Sequence, residues 1–261
     1  MRIVPGAGVA LLVAGYLCAC AVGPTVERTY TAASQDSRIQ FIVIHFTSTD
    51  FDEALATLTH GPVSSHYLVR DKPVAIYQLV DDSRRAYHAG ESSWQGNTQL
   101  NASSIGIEIV NRGDRDGEWS DYPPEQVEAV VTLVKKLVRE YHVRPDHIVG
   151  HSDIAPQRKV DPGPKFPWKR LADEGLVPWP DAVLVAAKRA EFGSSAPDAQ
   201  WFQERLRKLG YAVPVTGEID RETRRVISAF QMKYRPRRFD GEPDAETAAI
   251  LEALDVPSVT E

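Results

Sequence analysis

The sequence predicts an α/β fold: a mixed central β-sheet flanked by helices, followed by a small C-terminal domain of three helices. Three observations carry that reading. Apolar, β-branched runs are interleaved with helical stretches over roughly residues 35–180. Two of those runs flank a tight turn, which adds an antiparallel hairpin to strands otherwise separated by helical crossovers. Beyond residue 197 the strand signals stop and apolar residues recur at helical spacing.

Ile39 to Phe46 (IQFIVIHF) is a nearly continuous apolar run, the pattern of a strand buried on both faces. Phe51, Leu55 and Leu58 fall at helical spacing and predict a short helix after it. Ser65 to Val69 and Val74 to Val80 flank Asp71-Lys72-Pro73, a turn, and read as a hairpin. Ile105 to Val110 (IGIEIV) is a fourth strand and His147 to Gly150 (HIVG) a short fifth. Between these two, Pro123 and Pro124 open a helix and Glu125 suits its first turn. Val127, Val130, Val131, Val134, Leu137, Val138 and Tyr141 then mark its core-facing stripe. Gly193-Ser194-Ser195-Ala196-Pro197 reads as linker, and residues 181–197 are assigned to that connection. Trp201, Phe202, Leu206 and Leu209 mark a helix that Gly210 stops. Thr223 to Tyr234 and Glu246 to Leu254 complete a three-helix domain over residues 198–256. A chain ending near Gly193 is therefore expected to keep its activity on soluble substrates.

Composition narrows the function. The 261 residues are 43% hydrophobic and 25% charged, an ordinary globular balance. A net charge of −6 argues against a general nucleic-acid binder, which needs a basic face to displace counterions. The two cysteines, Cys18 and Cys20, lie close to the N-terminus, so the mature fold has neither a disulfide framework nor a thiolate zinc site. Any metal must be held by His, Asp or Glu.

The N-terminus reads as a targeting segment. Arg2 supplies a positive start, and the apolar stretch Val9 to Leu17 is too short to span a bilayer. Leu17-Cys18-Ala19-Cys20 resembles a bacterial lipobox, with Cys20 the lipidated first residue of the mature chain. Cys18 fits less well, because bulky Leu17 precedes it. A plain secretory peptide cut near Ala21 is the alternative, and export is expected either way. The lack of an acidic residue directly after Cys20 suggests, by the same resemblance, the periplasmic face of the outer membrane. Residues 21–34 read as a tether.

Of seven histidines, His45 and His151 share one context: each ends an apolar strand at its carboxyl end, where sites form in open α/β sheets. Asp161 follows in a loop rich in Pro, Gly and Lys (QRKVDPGPKFPW). Two histidines and a carboxylate make a three-ligand tetrahedral zinc set with one position open to water. Nitrogen donors favour zinc over magnesium. Glu108 is a carboxylate inside an apolar strand, where burial raises its pKa toward the range of a general base. Lys159 could stabilise a developing oxyanion. Metal, base and oxyanion donor together suit amide hydrolysis. The bland reading of each residue alone is a satisfied polar group, and His66 is expected to form hydrogen bonds along the cleft rather than ligate.

VIHFT around His45, SSHYLV from Ser64, YHAG from Tyr87, SIGIE ending at Glu108 and GHSDIAPQRKVDPGP from Gly150 form an ordered series. Together they resemble the zinc-dependent N-acetylmuramoyl-L-alanine amidases of the amidase-2 class over roughly residues 37–175, which makes residues 35–180 the catalytic domain. The resemblance implies zinc on His45, His151 and Asp161, Glu108 as proton carrier and Lys159 at the oxyanion. The bond cut would join the lactyl group of N-acetylmuramic acid to L-alanine. Tyr87, His88 and Asn101 would contact substrate, with Tyr87 standing where Trp is frequent. WFQERLRKLGY from Trp201 and TGEIDRETRRVISAFQ from Thr216 resemble the three-helix peptidoglycan-binding domain. The implied partners are peptidoglycan, muropeptides and, through the lipid anchor, a membrane; nothing demands more than a monomer. A recognition protein of the same fold without turnover is the alternative, and a zinc peptidase a weaker one.

Overall fold

The computed structural model describes residues 26–255. Cys20 and the apolar targeting segment lie outside the described residues. The chain divides into two compact units, residues 1–36 and 37–261. In the first, the described residues 26–36 form no helix or strand.

The second unit is built on a five-stranded sheet. Its strands are Phe41–Phe46 (β1), Tyr67–Arg70 (β2), Ala75–Gln78 (β3), Ser104–Ile109 (β4) and, after a small separate hairpin of Asp114–Arg115 (β5) with Glu118–Trp119 (β6), Ile148–Gly150 (β7). The order is β3-β2-β4-β1-β7. β2 and β3 are antiparallel, while β2–β4, β4–β1 and β1–β7 are parallel. The helices of this half are Phe51–His60 (α1), Leu100–Ser103 (α2), Pro124–Tyr141 (α3), His151–Ile154 (α4) and Trp168–Ala172 (α5). The mixed sheet, the hairpin and the long helix are as the sequence predicts. Both strands of the hairpin are shorter than expected, because Val74 and Leu79 fall outside β3 and Ser65 and His66 outside β2.

Period-two alternation divides the sheet into two faces. Ile42 and Ile44 of β1 and Ile105, Ile107 and Ile109 of β4 pack against Val127, Val130, Val131, Val134 and Leu137 of α3. The alternate residues Phe41, Val43 and His45 of β1, with Gly106 and Glu108 of β4, point to the other side. There Phe41, Val43 and Val149 share one apolar cluster with Phe202, Leu206, Phe230 and Leu251 of the C-terminal helices.

Those helices are Ala182–Phe192 (α6), Ala199–Leu209 (α7), Arg221–Tyr234 (α8) and Ala245–Asp255 (α9). All four begin after an aspartate whose carboxylate accepts a first-turn amide: Asp181 from Leu184, Asp198 from Trp201, Asp220 from Thr223 and Asp244 from Thr247. Two sequence expectations need correction. Residues 181–197 are not a plain linker, since Asp181 caps α6 and Val185 and Phe192 pack on the shared cluster. The helix is hard to read because its apolar residues run consecutively from Ala182 to Ala187, with no one-sided stripe. Nor is the C-terminal domain an independent appendage. It covers a sheet face that would otherwise expose Phe41, Val43 and Val149 to water.

Candidate metal centre and active site

Three neighbouring parallel strands carry the site at their carboxyl ends. In the ladder His45 is the Cα partner of Glu108, and Ile44 that of Gly150. His151 follows Gly150 directly and opens α4. Asp161 arrives on the next loop, fastened where the Ser152 amide donates to the Asp161 carbonyl at 2.8 Å.

His45 Nδ1 and His151 Nδ1 lie 2.9 Å apart, and each is 3.1 Å from Asp161 Oδ2. All three residues are buried. Proton placement follows from the hydrogen-bond network, traced back from carbonyl oxygens, which can only accept. His151 Nε2 faces the Ala89 carbonyl at 3.1 Å, closer than the Arg158 guanidinium at 3.4 Å, so it carries the hydrogen and leaves Nδ1 of a neutral ring bare. Ser104 Oγ donates to the Leu100 carbonyl, so it accepts from His88 Nε2 at 3.2 Å. His88 Nδ1 is then an acceptor for His45 Nε2 at 3.0 Å, and His45 Nδ1 is bare too. Burial, then the neighbouring His151, lowers the His45 pKa to about 4 and keeps the ring neutral. Burial also holds His88 well below its ordinary value. Three lone-pair donors converge with no hydrogen between them, an arrangement that repels itself unless a cation sits at its centre. Two imidazole nitrogens and one carboxylate oxygen are the donor types of a three-ligand zinc site.

The cleft beside this set has a volume of about 250 Å³ and is lined by Phe46, Leu58, Val63, Tyr87, Glu108 and Lys159, among others. Glu108 Oε2 is buried without a hydrogen-bond partner among the described residues. Burial and the charge of Asp161 raise its pKa well above the ordinary value, and Lys159 pulls the other way. A buried acidic group with an unpartnered oxygen is costly unless something in the cleft completes it.

The residues read from sequence as substrate contacts divide. Tyr87 is 49% exposed and walls the cleft, with the Arg85 guanidinium 4.6 Å over its ring. His88 reaches the cleft, but both its ring nitrogens are committed to His45 and Ser104. Asn101 Oδ1 accepts from the His88 and Ala89 amides at 3.0 and 2.8 Å. It pins the loop whose ring faces His45 and whose carbonyl faces His151, and it does not line the cleft. His66 forms hydrogen bonds as expected, accepting from the Gly106 amide and facing the Arg84 carbonyl, but behind the cleft rather than along it. Sequence reasoning passed over Gly106. A Cβ there would lie 2.5 Å from the His88 ring, so glycine makes the room for it. The signal was a glycine inside a strand pattern, which marks a close approach.

A mixed sheet bearing two histidines, an aspartate and a buried glutamate at its strand ends has the side chains of a hydrolase site that could hold a metal ion. The N-acetylmuramoyl-L-alanine amidase profile matches residues 35–164, and that of a putative peptidoglycan-binding domain matches residues 195–251. The chain is 45% identical to the Escherichia coli N-acetylmuramoyl-L-alanine amidase AmiD over 94% of each chain. It is 39% identical to Enterobacter cloacae 1,6-anhydro-N-acetylmuramyl-L-alanine amidase AmpD, over 44% of this chain and 59% of that one. Among solved structures, E. coli AmiD with its substrate anhydro-N-acetylmuramic acid-L-Ala-D-γ-Glu-L-Lys gives a TM-score of 0.81 over 89% of this chain and 94% of that one, at 45% identity. AmpDh3 of Pseudomonas aeruginosa gives 0.83 over 88% and 97%, at 38% identity. The chain belongs to the N-acetylmuramoyl-L-alanine amidase family and is an enzyme of that activity.

Proposed function

We propose that the protein holds zinc through His45, His151 and Asp161 and hydrolyses the amide joining the lactyl group of N-acetylmuramic acid to L-alanine in peptidoglycan and its fragments. The observation that carries this reading is the convergence of three bare donor atoms beside the unpartnered carboxylate of Glu108. Held by these residues, zinc would supply Lewis-acid polarisation of the scissile carbonyl and lower the pKa of the attacking water. Glu108 takes a proton from the attacking water as its oxygen bonds to the lactyl carbonyl carbon. The Lys159 ammonium faces the oxygen on which negative charge gathers. Glu108 then passes the proton to the alanine nitrogen as the C–N bond breaks, leaving a carboxylate and a free amine. His88 and the Ala89 carbonyl keep the ligand rings neutral and oriented. Tyr87 contacts the substrate at the cleft wall.

The C-terminal helices are proposed to bind cell wall and raise the local substrate concentration. Export, lipidation of Cys20 and residence at the periplasmic face of the outer membrane rest on the N-terminal sequence. A recognition protein without turnover would have no use for Glu108, which disfavours that alternative. Metal analysis of His151→Ala tests the ligand assignment: zinc should be lost with activity, and stoichiometric zinc in that variant would sink it.

A further inference from the structure

Asp153 is the third residue of α4, two positions after His151, and is 1% exposed. Its Oδ2 accepts from the Gly150 amide at 2.8 Å and from Lys233 Nζ at 3.0 Å. Its Oδ1 accepts from the Tyr211 hydroxyl at 2.7 Å. Gly150 and His151 begin the metal-binding turn, whereas Tyr211 and Lys233 belong to the C-terminal helical domain. All of these partners are buried, and none lines the active-site cleft.

We propose that Asp153 is a positioning residue for the metal-binding turn, and that Tyr211 and Lys233 make the C-terminal domain a working part of the catalytic site.

The turn has little slack. A Cβ on Gly150 would lie 2.7 Å from Pro162 Cδ and 3.3 Å from Trp168 Cζ2, so that backbone is wedged between the residue after Asp161 and the indole of α5. Lys233 Nζ lies 4.2 Å over the same indole. The Ser152 amide, on the residue between His151 and Asp153, is bonded to the Asp161 carbonyl. A shift of the Asp153 carboxylate therefore moves the Gly150–His151 backbone and strains its bond to the third ligand's loop. Two domains packing through an apolar cluster need no buried ion pair, and a buried pair is weak evidence for stability alone. It does fix position. A carboxylate this deep tolerates only the placement that keeps its cation and both other donors.

The inference rests on the zinc reading of the site, and its test separates the two. Full-length Tyr211→Phe keeps the ring that packs edge-on against Trp94 and removes one donor to Asp153. Asp153→Asn combined with Lys233→Met removes both charges and keeps an acceptor for Gly150. Zinc affinity is measured by competition with a chromophoric chelator, ligand geometry by the visible spectrum of the cobalt-loaded protein, and folding by thermal unfolding in chelator. Both variants should remain folded, bind zinc about tenfold more weakly and show an altered cobalt spectrum. Earlier unfolding with wild-type zinc affinity and an unchanged cobalt spectrum overturns the proposal, reducing the clamp to a domain contact. If one variant does not fold, the other decides. Wild-type protein that binds no zinc would instead overturn the metal reading itself.

Discussion

His45 and His151, the ligands proposed above, are held neutral by hydrogen bonds that end on carbonyl oxygens, and this sets what single substitutions do. Asn101→Ala should release the 88–89 loop and weaken zinc binding by about 10- to 100-fold. Asn101→Asp, which keeps the acceptor oxygen, should recover most of it. Equal zinc affinities in chelator competition for both variants and wild type would remove that role. Acid acts on the same residues. In the metal-free protein burial lowers the His45 pKa to about 4 from an ordinary 6.5. A depressed histidine value means that protonation favours the unfolded chain. Stability is then complete above about pH 6.5 and falls toward pH 4, by about 3 kcal/mol for this residue. His66 and His88, also lowered by burial, add in the same direction, and the three histidines together outweigh Glu108, whose raised pKa works against them. Urea titrations of metal-free protein at pH 7 and pH 5 should show the loss; equal midpoints would contradict it. At this scale the convergence of His45, His151 and Asp161 and the burial of Glu108 were legible, because acceptors at strand ends and a carboxylate in an apolar strand break local pattern. The roles of His88 and Asn101 were not. Both depend on which atoms face which across a loop, and spacing does not encode that.

β4 shows how one strand serves core and chemistry at once. Ile105, Ile107 and Ile109 face α3, while Gly106 and Glu108 face the site. Gly106→Ala should push His88 off its line to His45 and lower zinc affinity, although the backbone there needs no glycine conformation. Retained affinity would mean that the His88 ring yields without cost. Glu108→Gln, on the same face, should keep zinc and lose about 10²- to 10⁴-fold in turnover. Near-normal rates would place the base elsewhere. Strands and long helices were legible from periodicity and flanking turns. The four-residue α4 and the consecutive apolar run of α6 were not, since neither shows a period long enough to read.

At the scale of the molecule, the order of domains could be read but their shared core could not. Which face of a strand meets which later helix is a long-range fact. The apolar cluster that joins Phe41 and Val149 to Phe202 and Phe230 replaces the expectation of a free-standing catalytic domain. A chain ending at Gly193 should lose cooperative unfolding or aggregate, because a sheet face is stripped and Asp153 loses both side-chain partners. A soluble, cooperatively folded, zinc-binding fragment would contradict that. The most direct test of the whole reading is product analysis by mass spectrometry, with purified sacculi and a defined anhydro-muropeptide as substrates for the zinc-loaded protein. Peptides with a free L-alanine amino terminus should be released, and their release should stop on chelation and resume with zinc. No released peptide from either substrate, or release indifferent to chelation, would contradict a zinc amidase built on His45, His151 and Asp161.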